Sequence, residues 1–550
     1  MEYKKLILLA VLGCVFVWVL NSNLTRTGEN IQVPPNGISV SSTPSKLCCN
    51  VERDSSKGNT LYSVWVRSFR DSDGDGYGDL VGITNQLQYI SDLGVKKLLL
   101  SPIFPSPAYH GYEVTDYLSI DPIYGTKGNF LKLIRTADEL GIKILLDLPV
   151  NHTSDQHQWF KNSLSNVGNF RDFYKWVPGP LEGYGLPWSN DSDPYKVFHS
   201  KVETEEFYYG VFGYASPDLN YSNPEVVDKI KEVVKFWIEE GVDGFRLDAA
   251  RYFVETGPLQ GQRDTEANRN FLLELTGYAK ELNPEVEFLA EAYAEHETAN
   301  SYQKALTGVD YQFDFEVGPF VHNVVTSEEL SVSEKVNSLR NTLSFLLSNT
   351  TNASEKYVFF ENHDFPRANF HSTSLAKIAH SIVLALPYNF SLYYGGELGL
   401  PGFSTSNDLY FRDDMIWDDG SQTNWNTQYI EDTSTYLKWK KQAYADVDSE
   451  FVGSLKKLIL IRNKLADFYK GNVHTDFELS TNNHFIVTTA SKGSVVFTIV
   501  NMDDQFSSIF NVNALPAQRY YSVLTNQPIE QSAQITLAPG ESLTLVSKQI

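Results

Sequence analysis

The stretch "NPEVVDKIKEVVKFWIEEGVDGFRLD", Asn223 to Asp248, decides the fold. Asn223 is a capping residue and Pro224 follows at the first turn, so a helix is predicted over 224–241. A short apolar strand, "GFRLD" (244–248), comes next and ends on charge. Arg246 and Asp248 are two residues apart, so both project from the same face of that strand.

The same alternation runs from Thr60 to about Lys470. Strands read at "LYSVWV" (61–66), "KKLLLSPIF" (96–104), "IKILLDLPV" (142–150), "VEFLAEAY" (286–293), "YQFDF" (311–315), "KYVFFENHD" (356–364) and "FSLYYGGE" (390–397). Helices read between most of them, among them "GITNQLQYISDLG" (82–94), "NFLKLIRTADELG" (129–141), 332–348 and 374–385. Eight strands alternating with helices predict an α/β protein, a (β/α)8 TIM barrel over 58–150 and 224–470. Strand count alone also admits a doubly wound open sheet. Residues 151–223 are too long for a loop and rich in Tyr, Trp, Gly and Asp, which predicts a small inserted domain after the third strand. From about Gly471 the helices stop. "HFIVTTASKGSVVFTIVN", "YYSVLTN" and "ESLTLVSK" alternate like antiparallel strands, so a C-terminal β-sandwich is expected over 471–550.

The N-terminus reads as an address. Lys4 and Lys5 precede an unbroken apolar run, Leu6 to Leu20, so 1–20 reads as a signal or membrane anchor. "VLGC" before Cys14 also fits a bacterial lipoprotein box. Residues 21–57 are polar and rich in Ser, Thr, Pro and Asn, a flexible tether. In either case the body is expected outside the cytoplasm, secreted or tethered to a membrane only through the N-terminal segment. The three cysteines, Cys14, Cys48 and Cys49, all lie in this part, so no disulfide framework or thiolate metal site holds the core. A net charge of −23 repels nucleic acid and anionic membrane surfaces, which excludes those partners. A monomer is expected.

In a barrel of this kind, chemistry sits at the C-terminal ends of the strands. Asp147, Asn151 and His152 lie there after the third strand, and Arg246 and Asp248 at the fourth. Glu291 follows the fifth strand, and His363 and Asp364 come after the seventh. A single acid in such a place is more often a solvated loop residue or a helix cap. Three carboxylates converging from strands four, five and seven are much harder to reach by accident. Retaining glycoside cleavage needs a carboxylate pair about 5 Å apart, one nucleophile and one acid/base. A third carboxylate can stabilise the positive charge that develops, and histidines can grip sugar hydroxyls. Arg246 beside Asp248 can keep that acid ionised.

"DLPVNH" (147–152), "GFRLD" (244–248), "FLAEAY" (288–293) and "ENHD" (361–364), in this order, resemble conserved blocks of the alpha-amylase family of glycoside hydrolases. "SPDLNYSNPEV" (216–226), "HGYEVTDY" (110–117) and "YYGGELG" (393–399) extend the resemblance, which covers about 58–550. It implies Asp248 as nucleophile, Glu291 as acid/base and Asp364 as transition-state stabiliser. It also implies Tyr112, Asp147, His152, Arg246 and His363 around the sugar in the cleaved subsite, with Tyr112 stacked on its face.

Within the family, α-glucosidases usually carry an Asp two residues before the "GY" of the tyrosine block, and it closes the pocket on a non-reducing end. Tyr109 stands there, which resembles alpha-amylases with an open, endo-acting cleft. Ala249 after the nucleophile resembles enzymes that cut α-1,4 bonds. The expectation is therefore a retaining α-1,4-glucan hydrolase acting on starch or maltooligosaccharides. The alternatives are an exo-acting α-glucosidase or maltase, a transglycosylase, and a non-enzymatic ectodomain of an amino-acid transporter heavy chain. Such ectodomains can lose catalytic acids, whereas all three matched acids and both histidines are present here.

One motif remains. "DSDGDGYGDL" (71–80) has EF-hand spacing, with Asp71, Asp73, Asp75, the Tyr77 carbonyl and Asp79 at ligand positions. Gly82 occupies the place of the closing Glu, and a strand precedes the loop, so it is not an EF-hand. It reads either as an acidic turn capping the next helix or as a cation loop. The family resemblance implies one structural Ca2+ there, and matches Asn151 to a residue that binds a second, interdomain Ca2+ in some alpha-amylases.

Overall fold

The computed structural model describes residues 58–201, 205–403, 407–417, 421–430, 432–445, 449–470, 473–516 and 519–548. The apolar N-terminal run, the tether and the three cysteines lie outside the described residues.

Eight strands close into one parallel barrel in sequence order. They are β1 (Leu61–Val64), β2 (Lys97–Leu100), β3 (Lys143–Leu148), β4 (Gly244–Leu247), β5 (Glu287–Ala290), β6 (Tyr311–Asp314), β7 (Lys356–Val358) and β8 (Asn389–Tyr393). β1 pairs with both β2 and β8, which completes the ring and excludes the open sheet. The strands are shorter than their apolar runs. The first strand, read over 61–66, ends at Val64, and Val66–Phe69 is a short helix.

Two-residue alternation explains why the strands read as continuous apolar runs. Leu61, Leu99, Leu145, Leu289, Phe313, Tyr357 and Phe359 point inward and fill the barrel as one cluster. Their neighbours Tyr62, Leu98, Ile144, Phe245 and Phe288 point outward into the core beneath the helices. Both faces are buried, as expected of a parallel sheet covered by helices.

The outer layer is set by local signals. Helix α1 (Leu80–Asp92) starts at Asp79, whose carboxylate accepts the Gly82 N–H. Helix α2 (Lys127–Glu139) opens with a reciprocal cap between Thr126 and Asn129. Helix α3 (Pro224–Glu239) has Asn223 as its cap and buries Val226, Val227, Ile230, Val233, Val234 and Trp237 along one face. Helix α4 (Glu266–Leu282) follows β4. Two short helical turns join β5 to β6. Helices α5 (Val332–Asn349), α6 (Thr373–Ala385) and α7 (Ser449–Lys464) also belong to the layer.

Between β3 and α3 the insert folds a three-stranded antiparallel sheet from 176–177, 207–209 and 198–200, with its own small core. After α7 come a six-stranded antiparallel sheet and a two-stranded one, 508–511 with 534–537. Phe497, Ile499 and Leu545 of the larger sheet share a core with Phe510 and Leu537 of the smaller, which makes a sandwich. No helix among the described residues is long and apolar enough to cross a membrane.

Gly244 begins β4 because nothing larger fits. A Cβ there would stand 2.4 Å from the Glu287 carbonyl oxygen of β5. Gly244→Ala should push β4 from β5 and lower stability by about 1–3 kcal/mol, read from a denaturant midpoint. The expected accompaniment is loss of activity, since Arg246 lies two residues on.

Candidate active site

Strand alternation carries the inward row from apolar residues into charged ones at the top of the barrel. Leu145 is followed by Asp147 on β3, Gly244 by Arg246 and Asp248 on β4, and Leu289 by Glu291 on β5. Register places Asp147 beside Arg246, and Arg246 beside Leu289.

Arg246 is the centre. It is 1% exposed. Its Nη1 donates to both Asp147 oxygens at 2.7 and 2.6 Å, and to Asp248 Oδ1 at 2.9 Å. Its Nη2 lies 2.9 Å from Glu291 Oε2. Tyr112, on the loop after β2, donates its hydroxyl to Asp147 Oδ2 at 2.9 Å and lies 2.8 Å from His363 Nε2. His363 in turn lies 2.9 Å from Asp364 Oδ2. Asp147, Arg246, Asp248, Glu291, Tyr112, His363 and Asp364 thus form one contiguous polar cluster. His152 is buried beside it after β3, with its ring 5.4 Å from Phe212 of the insert.

Ala249 follows Asp248 with φ +50°, a left-handed conformation unusual for a residue with a Cβ. That turn aims the Ala249 N–H at Glu291 Oε2, 3.1 Å away, and so ties the β4 and β5 acids together.

Charge is unevenly shared. Burial pushes Asp248 well above the usual carboxylate range, against the pull of Arg246; Glu291, Asp147 and Asp364 push it the same way as burial. Asp248 is thus drawn toward its neutral form by burial and toward the carboxylate by Arg246. Asp364 goes the other way. Burial would raise it, but His363, Arg412 and Arg246 outweigh burial and hold it well below the usual range. Burial lowers His152 to about 4, so it is neutral at neutral pH.

Arg412 escaped the sequence reading. It is 1% exposed, on the irregular segment after β8. Its Nη2 lies 3.2 Å from Asp364 Oδ1 and its Nη1 2.8 Å from Asp408 Oδ2. Its Nε donates to the His363 carbonyl at 3.0 Å, and its guanidinium covers the Trp65 ring at 4.3 Å. Trp65, just past β1, also stacks on His363. No periodicity marks "YFRDD" (410–414), so only the folded chain reveals this arginine. The same segment alters the reading of Tyr109. Its hydroxyl donates to Asp408 Oδ2 at 2.6 Å and its ring stacks on Trp425, so a carboxylate from a different loop reaches this end of the site.

In the acidic loop, Asp71, Asp73 and Asp79 each offer an oxygen within 4.8 Å of the others. Three converging carboxylate oxygens are a donor set for a hard cation such as Ca2+. Asp79 does two jobs, accepting Ser72 N–H through Oδ2 and capping α1 through Oδ1. Asp75, expected among the ligands, lies outside this trio. It is exposed, and its Oδ1 accepts the Tyr77 N–H at 2.8 Å. The Tyr77 ring turns over Arg67. Asn151 is buried, and so is Asp218, which the chain brings opposite His152. The Asn151 amide and both Asp218 carboxyl oxygens lack hydrogen-bond partners of good geometry, a setting that also suits a cation.

The chain matches the family "Alpha amylase, catalytic domain" over residues 63–471. It is 38% identical over 468 residues to Alpha-amylase 3 of Dictyoglomus thermophilum, covering 84% of this chain and 85% of that one. It is 33% identical to a 4-alpha-glucanotransferase of Thermotoga neapolitana, covering 75% and 87%. Among solved structures, an alpha-amylase from H. orenii superposes with a TM-score of 0.72 at 29% identity, covering 90% of this chain and 100% of that one.

Glu113, next to Tyr112, is pushed up to about 7 by burial and by Asp155. It binds its proton more tightly folded than unfolded. Its contribution to stability is therefore complete below its ordinary 4.5 and is lost as pH rises through about 7. Glu113→Gln should make the fall in Tm between pH 5 and 8 shallower than in wild type, as scanning calorimetry at a series of pH values would record.

Proposed function

The chain belongs to the alpha-amylase family of glycoside hydrolases and acts on α-glucans; from that premise we propose that it is a retaining hydrolase of α-1,4 bonds in starch-type glucans and maltooligosaccharides, cutting within chains. One observation carries the retaining reading: Asp248 and Glu291 grip adjacent nitrogens of a single guanidinium. That fits the short spacing of a retaining pair, about 5 Å, which leaves no room for a water between them.

In this reading Tyr112 stacks on the sugar and His152 and His363 hold its hydroxyls. Asp248 attacks the anomeric carbon while Glu291 gives its proton to the departing glycosidic oxygen. The bond to the leaving glucan breaks as the bond to Asp248 forms. Water then attacks the same carbon, passes its proton to Glu291 and frees Asp248. Asp364, held ionised, offsets the positive charge that develops at each step. Arg246 orients both acids, with Asp147 orienting Arg246.

Absence of an acid at position 109 supports cutting within chains. A second reading, exo action, is favoured by the Asp408 carboxylate on Tyr109, which narrows that end of the site. We further propose one structural Ca2+ on Asp71, Asp73 and Asp79, a second at Asn151 and Asp218, and an extracellular location directed by the apolar N-terminal run.

Asp248→Asn should lower kcat on maltoheptaose by at least about 10^4-fold. Wild-type enzyme should release mixed short oligosaccharides early. Glucose alone, released from non-reducing ends, would select the exo reading. A chelator should lower Tm, and Asp73→Ala should lower Tm without chelator and shrink the chelator effect. A Tm indifferent to both, by differential scanning fluorimetry, rejects the loop cation.

A further inference from the structure

Trp65 stands where β1 gives way to a turn, and no step described so far uses it. It is 2% exposed, so it offers no face to a sugar. Its indole N–H has no hydrogen-bond partner among the described residues, so the ring serves through its shape and its π surface. Two side chains of the Asp364 cluster lie against that surface. The Arg412 guanidinium covers the ring at 4.3 Å, and the His363 ring stacks on it at 5.4 Å and 28°. Tyr112 lies farther off, at 6.4 Å and 36°. Both Trp65 and Arg412 are shut away from water, and a desolvated cation over an indole is among the stronger contacts a ring can make.

The turn that carries Trp65 is itself fixed. The Trp65 carbonyl accepts the Ser68 N–H at 2.9 Å, and Val66 N–H donates to Ser101 Oγ, just past β2, at 3.0 Å. Ser68 then donates its hydroxyl to the Arg412 carbonyl at 2.6 Å. One turn therefore holds Arg412 twice, by its backbone through Ser68 and by its guanidinium against Trp65. A long arginine side chain has many rotamers, and fixing one of them costs entropy that the ring contact offsets. The rotamer so fixed brings Nη2 to Asp364 and Nε to the His363 carbonyl. We infer that Trp65 is a positioning residue for the reaction: its ring holds Arg412 and His363 against Asp364, so that this carboxylate is in place before charge develops on the sugar. This rests on the role proposed above for Asp364. Trp65 acts through these side chains and does not touch the reacting atoms.

The test measures kcat and KM on maltoheptaose. Trp65→Leu fills much of the space but has no π surface. It should lower kcat about tenfold and leave KM within about twofold, because the contact it loosens acts on the transition state. Trp65→Phe, which keeps a ring, should lose less than about threefold in kcat. Trp65→Leu combined with Arg412→Gln should cost less than the product of the two separate losses, because the ring then has no guanidinium to hold. If Trp65→Leu does not fold, Trp65→Met, a flexible filler of the same gap, takes its place. A wild-type kcat in the leucine variant overturns the positioning role. So does an equal loss in the phenylalanine variant, a change in KM alone, or a double variant that shows the full product. Asp364→Asn serves as the control and should be nearly inactive. A wild-type kcat there overturns the reading of Asp364 itself, a result distinct from a failure of Trp65.

Discussion

A single buried guanidinium organises the top of the barrel. Arg246 meets Asp147 on one side, Asp248 just past the end of its own strand, and Glu291 on the other side. Removing one partner of a buried ion pair costs about 3–5 kcal/mol, because the others stay buried and unpaired. Carboxylates from β3, β4 and β5 can share one cation only if those strands are neighbours in this register. The barrel order and the site are thus one constraint seen twice. Burial first, and then the neighbouring carboxyls, push Asp248 toward its neutral form, while Arg246 pulls it toward the carboxylate.

A second guanidinium, Arg412, performs the matching task for Asp364, and it arrives by a less regular route. The segment that carries it is sewn to the chain just after β1. Met415 donates its N–H to the Ser68 carbonyl, and Trp425 its indole N–H to the Ser68 hydroxyl. Further along, Asp71 N–H bonds the Ser421 carbonyl and Asn424 N–H the Gly76 carbonyl. Gly76 has φ +92°, a conformation that favours glycine, and a Cβ there would also push the Asn424 side chain aside. The acidic loop and the segment that carries Arg412 are thus both tied to the chain that follows β1.

This difference in route explains what the sequence could disclose. The strands were legible because both faces are buried, which leaves apolar runs such as "KLLL" and "ILLDL" that admit little else. Asp147, Arg246, Asp248 and Glu291 were legible because two-residue alternation fixes their direction once the strand is known. Arg412 and Asp408 lie where no period exists, and their meaning comes only from the strands they fold against. Tyr109 suggested an open end for the same reason, since the carboxylate that approaches it is 299 residues away in the chain. In the acidic loop, spacing alone could not separate Asp73, which joins the trio, from Asp75, which turns outward.

The two guanidiniums also divide the labour among chemically identical acids. Asp364 has a histidine and Arg412 close by, and so stays ionised well below the usual range. Asp248 shares its one adjacent cation with two other carboxyls, and burial drives it upward. Environments that push like groups apart let one type of side chain take different roles in one site. In the proposed reaction Asp364, the permanent anion, steadies the charge developing on the sugar, while Asp248 attacks the anomeric carbon and Glu291 gives its proton to the departing oxygen. Neutral His152 adds no further cation to the cluster, so Arg246 is the cation that pulls Asp248 toward the carboxylate.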